Sequence, residues 1–354
     1  MKSLFRKKMP SIVGLDIGTR QIKAVLIEKS GDQYKLAGFA CELINKEAFH
    51  EREIRDFDAV GLALKKVQKA LKVKGKQVAI AVSGSSVITK VVQMEPDQSD
   101  LELEGQIEIE ADSLIPYPLD EVYLDFEELG PSQSHAGKVN VLLSAAHKDM
   151  VDNRITLVRE VPFEPKVVDI EGYALGNALT HFYPSEEDER VCCMNIGATL
   201  LQMCVWQNGN VIYAKEHSFG MGMLVQDISV IQMMDKEEAE RQLLDKTLTG
   251  NWQEETLPIF TANLVQQINR ALQMYMSTSH TERPQKLLLS GGGATLTALT
   301  DALQQDLGLE IEVFDPFAGM QISEKIDPQR LKSVTPQLAI AAGLASRSFD
   351  TWHM

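Results

Sequence analysis

Two stretches of this chain follow one plan about half a chain apart, and that repeat constrains the fold more than any other feature. In residues 11–39 an apolar run enters Asp16-Ile-Gly-Thr19. A second apolar run follows, then a turn at Ser30-Gly-Asp32, then Tyr34-Lys-Leu-Ala-Gly-Phe39. In residues 190–219 Val191-Cys-Cys-Met enters Asn195-Ile-Gly-Ala-Thr199. Another apolar run follows, then a turn at Asn208-Gly-Asn210 and a third run. β-Branched and aromatic residues bounded by Gly and Asn turns predict strands, so each copy predicts three strands.

The strand-to-strand loops have a chemistry of their own. Gly18 and Gly197 lack a Cβ, so an anion can approach the backbone closely. Thr19 and Thr199 add hydroxyl donors, and Asp16 suits a hydrated Mg²⁺. Lys23 can return a positive charge to the phosphate side. A lone Asp-x-Gly-Thr is usually an ordinary turn; two copies between apolar strands point to a phosphate cleft. A third loop agrees with them: Leu287-Leu-Leu runs into Ser290-Gly-Gly-Gly293, and Leu296, Leu299 and Leu303 predict a helix after it. Such a junction presents backbone N–H groups and a helix dipole to a nucleotide.

The formal net charge of −15 excludes a sequence-independent nucleic-acid binder, which must neutralise phosphates with clustered cations. Cys41, Cys192, Cys193 and Cys204 form no CxxC pair and suit reduced thiols in a cytoplasmic protein. The basic start, residues 1–10, is followed by no apolar stretch long enough for a secretory signal. No segment has the length to cross a bilayer.

Apolar stripes predict helices over 57–72 (Val60, Leu64, Val67, Leu71), 148–160 (Val151, Ile155, Val158) and 263–276 (Leu264, Ile268, Leu272, Tyr275). Strand-like runs at Val78–Val82, Ile88–Met94, Val122–Leu129 and Val139–Ala145 surround an acidic helix near 99–113. The expected organisation is a lobe I core (1–75), an inserted α+β subdomain (76–167) and a lobe II core (168–219). A helical insertion (220–283) follows, and then a segment (284–354) that completes lobe II and sends a C-terminal helix back to lobe I.

With three loops in place, the chain resembles the actin/Hsp70/sugar-kinase superfamily, and within it the PilM family of type IV pilus assembly proteins, with the FtsA division proteins more distant. The specific residues are Leu15-Asp-Ile-Gly18, Ile115-Pro-Tyr-Pro-Leu-Asp-Glu-Val122, Val168-Asp-Ile-Glu171, Glu237-Glu-Ala-Glu240, Ser290-Gly-Gly-Gly293, Asp315-Pro-Phe317 and Pro336-Gln-Leu-Ala-Ile-Ala-Ala-Gly-Leu-Ala345. The resemblance implies an α/β, actin-like (ribonuclease H-like) two-lobed fold with an inserted α+β subdomain in the first lobe.

It also implies ATP with Mg²⁺ in the cleft. Asp16, Gly18, Thr19 and Lys23 match the first phosphate loop; Asn195, Gly197 and Thr199 match the second. Gly291, Gly292 and Gly293 match the adenosine loop, and Glu240 stands where a ribose or base contact is expected. Asp16 would hold the metal through water, with Asn195 beside it, and Glu171 matches the residue that positions the attacking water. Three departures from the family pattern imply slow or absent hydrolysis: Asn195 in place of Asp, Leu243 near a position where relatives often carry Lys, and Gly172 in place of a bulky residue or Pro after Glu171.

The implied partner is the cytoplasmic N-terminal peptide of the inner-membrane protein PilN, captured on the inserted subdomain. Through PilN the chain would join PilO, PilP and the pilus motor, peripheral to the inner membrane. Two alternatives share the superfamily. An FtsA-like filament former usually ends in an amphipathic helix, which the mixed ending 346–354 does not resemble. A small-molecule kinase needs an Asp base, with Asp120, Asp125 and Asp169 as candidates.

Overall fold

A computed structural model describes residues 11–350, apart from 45–46, 51, 74–75, 133–134, 187, 280, 282 and 285. The basic segment 1–10 and the last four residues lie outside the described residues, as does part of the loop 130–137.

Each copy of the repeat builds a sheet of its own on the same plan. In lobe I, Val13–Ile17, Gln21–Ser30 and Gln33–Leu43 form an antiparallel meander. Lys76–Val82 then pairs parallel with Val13–Ile17, and Phe163–Ile170 parallel with Lys76–Val82. In lobe II, Arg190–Ile196, Leu201–Gln207 and Asn210–His217 form the meander. Lys286–Ser290 and Glu310–Val313 extend it in parallel. The short strand Gln321–Ile322 adds a sixth strand to the first sheet. Parallel strands are normally buried on both faces, and Lys286–Ser290 is buried from its second residue on.

The helical stripes pack as their spacing predicts. Helix Phe57–Leu71 is capped by Asp56, whose Oδ1 accepts from the Ala59 amide at 2.9 Å. Its Val60, Leu64 and Val67 enter the lobe I core, where Leu157 and Val158 of helix Lys148–Arg159 join them. Helix Leu257–Ser279 buries Leu264, Ile268, Leu272 and Tyr275 in the lobe II core.

The inserted subdomain is shorter than the span 76–167. Lys76–Val82 and Phe163–Ile170 are strands of the lobe I sheet, because their alternate apolar residues serve that core. The self-contained part runs from Val87–Met94 through helix Asp100–Leu114 and Val122–Pro131 to Val139–His147. These strands form a separate three-stranded sheet. Leu103, Ile107 and Ala111 of the helix pack on Val141, Leu143 and Ala145. Ser99 and Glu102 close a capping box at the start of that helix.

Two helices join the lobes. Glu171–Phe182 leaves the last lobe I strand and packs on Leu201–Gln207 and Asn210–His217 of lobe II. Ala339–Ser346 follows lobe II and packs back on Val13–Ile17 and Gln21–Ser30 of lobe I. They cross at small residues: a Cβ on Gly343 would stand 1.7 Å from the Ala174 carbonyl oxygen. One apolar cluster contains Ala79 and Ala81 of lobe I, Cys193 and Leu288 of lobe II, and Ala174, Ala178 and Leu344 of the crossing helices.

Candidate functional site

The two repeat loops meet across the cleft. Thr19 Oγ1 and Thr199 Oγ1 lie 3.5 Å apart, although 180 residues separate them in the chain. Each loop is closed by the same backbone bond: Gly18 N–H donates to Gln21 O at 3.1 Å, and Gly197 N–H to Leu200 O at 2.9 Å. The glycine amides are therefore spent on the turn. The glycines serve by lacking a Cβ, which would sit 3.0 Å from that same carbonyl oxygen in both loops.

Asp16 and Lys23 face each other across neighbouring strands, with Lys23 Nζ donating to Asp16 Oδ2 at 2.6 Å. In the second copy the same register positions are held by Asn195 and Gln202, joined by Asn195 Nδ2 donating to Gln202 Oε1 at 2.7 Å. A charged pair in the first loop is thus matched by a neutral pair in the second. Gln202 belongs to no motif, yet the repeat carries its signal: it stands after Asn195 where Lys23 stands after Asp16.

The neutral pair belongs to a buried network whose donors and acceptors allow one arrangement. Gln202 Nε2 donates to Glu171 Oε2 at 2.7 Å and to Glu216 Oε1 at 3.0 Å. With its N–H groups committed to carboxylates, its carbonyl oxygen needs a donor. Asn195 supplies one; an Asp anion would set oxygen against oxygen. Asn195 Oδ1 in turn accepts from Ser290 Oγ at 3.2 Å, which links this network to the third loop. Asn195 is held inward by these bonds, so of the two expected metal contacts Asp16 is the one not engaged in the network. Asn195→Asp is expected to lower stability by about 1–3 kcal/mol, the range for an unsatisfied buried polar group, measured as a lower urea midpoint at unchanged slope.

Glu171, expected to position water, is buried at the head of its helix and ion-paired with Arg52. Burial pushes its carboxyl up, but the Arg52 and Arg154 guanidinium charges and the Gln202 hydrogen bond outweigh it and hold the pKa low. Glu216 goes the other way: burial, and then the Glu171 charge, raise it. Its Oε2 accepts from the Gly84 amide at 2.7 Å, a further bond between lobes. Arg52, Arg154 and Glu216 carried no motif; only folding brings them to Glu171.

The third loop runs as expected from strand Lys286–Ser290 into Gly291, whose φ of +84° suits glycine. A Cβ there would stand 2.5 Å from Ile196 O and 2.7 Å from Asn195 Oδ1. A Cβ on Gly293 would meet the Ile196 side chain at 2.6 Å, while Gly292 faces open space. The expected helix start is displaced. A 3₁₀ turn over Gly293–Thr295 intervenes, and the helix spans Thr297–Leu307.

Glu240, on helix Lys236–Leu244, is engaged by Arg20 across the cleft, with Arg20 Nε donating to Glu240 Oε1 at 2.8 Å. Arg20 Nη2 contacts the other carboxylate oxygen. A ribose hydroxyl would therefore share Glu240 with Arg20 or displace it. Lys236 and Glu47 add a second bridge between lobes at 2.9 Å. Asp120 and Asp125 lie in the inserted subdomain, and Asp169 is ion-paired with Arg347 at 3.3 Å. Among the described residues, no group of three or more His, Cys, Asp or Glu side chains gathers to hold a metal.

The model of the family described as type IV pilus assembly protein PilM matches residues 14–349. The chain belongs to the PilM family. A solved structure titled PilM-PilN type IV pilus biogenesis complex covers 97% of this PilM-family chain and 100% of its own, at TM-score 0.82 and 22% identity. The ethanolamine utilization protein EutJ from Carboxydothermus hydrogenoformans is 15% identical at TM-score 0.55, covering 95% of this chain and 89% of its own. The cell division protein FtsA of Bacillus subtilis is 21% identical, covering 91% of this chain and 81% of its own. The fold is therefore the two-lobed, actin-like one. No helix among the described residues is long and apolar enough to cross a membrane.

Proposed function

We propose that this PilM-family chain is an ATP-binding adaptor of type IV pilus assembly that captures the cytoplasmic N-terminal peptide of a PilN-type membrane protein. Through that peptide it associates with the inner membrane and joins PilO, PilP and the pilus motor. The observation that carries the reading is family membership over nearly the whole chain together with the intact cleft, where Thr19 and Thr199 face each other.

The residues suit Mg-ATP. Gly292 faces open space where a nucleotide can approach the backbone, the paired threonine hydroxyls can donate to phosphate, and Lys23 sits ready to exchange Asp16 for a phosphate oxygen. Bound Mg²⁺ would offset phosphate charge, with Asp16 orienting its waters. Glu171, already held by Arg52 and Gln202, is poorly placed to take a proton, because a low-pKa carboxylate is a weak base. This favours binding without appreciable turnover. Nucleotide then acts by tying the lobes together at a cleft already bridged by Arg20–Glu240 and Lys236–Glu47.

The inserted subdomain supports the docking part of the reading. It has its own core and its own sheet, with strand edges available to an extended peptide. Titration calorimetry with a PilN N-terminal peptide, with and without Mg-ATP, tests the proposal. Binding is expected, with an affinity that differs between the two conditions. Asp16→Ala should remove that difference while leaving nucleotide-free peptide binding unchanged. Absence of binding in both conditions would overturn the adaptor reading.

A further inference from the structure

The net charge of −15 conceals a local excess of the opposite sign. From Asp58 to Lys76 the chain carries Lys65, Lys66, Lys69, Lys72, Lys74 and Lys76 against the single carboxylate of Asp58. Lys65, Lys66 and Lys69 belong to helix Phe57–Leu71, and Lys72 caps it. Leu62, Lys65, Lys66 and Lys69 stand at i, i+3, i+4 and i+7, so they share one side of the helix. The other side, with Val60, Leu64 and Val67, is buried in the lobe I core. The four lysines from Lys65 to Lys72 face solvent beside Leu62, which is 54% exposed.

Among the described residues none of these lysines is ion-paired; the ion-paired cations of this part of the chain are Arg20, Lys23, Arg52 and Arg55. Three carboxylates lie along the borders of the stripe: Asp58 in the first turn, Glu160 beside Gly61, and Glu164 opposite Gln77 on the adjoining strand. The helix dipole accounts for Lys69 and Lys72, but it fades within the last turn and does not call for Lys65 and Lys66. Lysines three or four residues apart repel one another. The stripe therefore costs the free protein stability, which an opposing negative surface would restore.

The start of the chain adds charge at the same place. Lys76 Nζ donates to Ser11 Oγ at 3.2 Å, so residues 1–10 join the fold just beyond the lysine stripe. That segment carries Lys2, Arg6, Lys7 and Lys8 with no acidic residue, and has Leu4 and Phe5 among them. Lysine ammonium groups are hydrated point charges without the fork that clamps a single phosphate or carboxylate. Spread along an exposed helix face, they suit a layer of headgroups better than one bound anion. The acidic residues elsewhere do not cancel them, because the Debye length at physiological ionic strength is only about 8 Å.

We propose that this lysine face of lobe I binds directly to the anionic surface of a lipid bilayer. Clusters of this size attract anionic lipid on their own. The contact needs no peptide and does not rest on the adaptor reading. Where both operate, the lipid contact raises the effective concentration of the chain near a membrane partner.

The test is co-sedimentation of the full, peptide-free chain with vesicles of phosphatidylcholine, alone or mixed in equal parts with phosphatidylglycerol. Binding to the mixed vesicles only is expected, with release as salt rises towards about 1 M, where the Debye length is ~3 Å. Lys66→Gln combined with Lys69→Gln should weaken that binding by roughly tenfold or more, whereas Lys66→Arg combined with Lys69→Arg should retain it. Both positions are exposed, and circular dichroism checks that the variants are folded. Replacing Lys2, Arg6, Lys7 and Lys8 by Gln should weaken binding without abolishing it. Abolition there, with normal binding by the Lys66→Gln, Lys69→Gln chain, would place the contact in residues 1–10 and overturn the proposal. Equal binding to both vesicle types, or binding to neither, would overturn it as well. Capture of soluble polyglutamate but not of anionic vesicles would make an acidic protein the partner of this face and the lipid assignment wrong.

Discussion

Glu171→Ala is expected to destabilise the folded chain by about 3–5 kcal/mol, the cost of leaving a buried charge without its partner. A residue whose only task was to orient water would leave stability unchanged. In this structure Glu171 is 5% exposed, paired with Arg52 and hydrogen-bonded by Gln202, and its charge acts on Arg154 as well. Removing it strands two guanidiniums and frees one N–H of Gln202. Urea unfolding of the variant beside wild type measures the loss. A change below about 0.5 kcal/mol, ordinary for a surface substitution, would return Glu171 to a purely catalytic assignment.

The same interaction sets a pH dependence. The Glu171 pKa is lowered on folding, so its contribution is fully present above the ordinary carboxylate value of 4.5. It is lost as pH falls from there through the lowered folded value. Glu216 has the opposite sign: its raised pKa favours the folded state below 4.5, a contribution lost as pH rises through the folded value. In the Glu171→Ala background the acid limb of the stability curve should therefore be shallower than in wild type.

Gly343→Ala is the second large effect. The added methyl carbon would stand 1.7 Å from Ala174 O and 2.7 Å from Ala174 C, both backbone atoms that no rotamer change can move. The two crossing helices must separate, and overpacking of this kind costs about 3 kcal/mol or more. Because these helices also join the lobes, the damage extends to the angle between them. A fall in the unfolding midpoint together with weakened nucleotide binding is the expected pair of results. Wild-type stability in Gly343→Ala would show that the helices cross less closely. Gly14 makes a similar contact, since a Cβ there would stand 1.9 Å from Ala341 O on the returning helix.

Much of the fold was legible because its signals are local. Strand–turn–strand spacing and Asp/Asn-Ile-Gly predicted both meanders, and the stripes at 57–72, 148–160 and 263–276 became core faces. The boundary of the inserted subdomain was not legible. Strand Lys76–Val82 carries the same apolar composition as strands inside the insertion, and only hydrogen-bond pairing assigns it to lobe I. The displaced helix after Gly293 has a similar cause. Leucine spacing marks the helical face but does not distinguish an α-helix start from a preceding 3₁₀ turn.

The site divides in the same way. Asp16, Gly18, Thr19, Lys23, Asn195, Gly197, Thr199 and Gly291 to Gly293 announce themselves because each loop is contiguous in the chain, and its spacing follows from strand register. What each side chain is bonded to follows from contacts of long sequence separation. Arg52 reaches Glu171, Arg20 reaches Glu240, and Arg154 reaches Ile17 across intervals that no periodicity encodes. The sequence by itself determined a duplicated strand–loop–strand fold with a glycine-rich third loop, since those features depend on neighbours along the chain. Only the tertiary structure decided that Glu171 is held as a buried anion, that Asn195 must be an amide beside Gln202, and that Arg154 is buried against the Ile17 carbonyl. Each depends on burial and on partners drawn from the other lobe or another element, and desolvation makes those pairings obligatory.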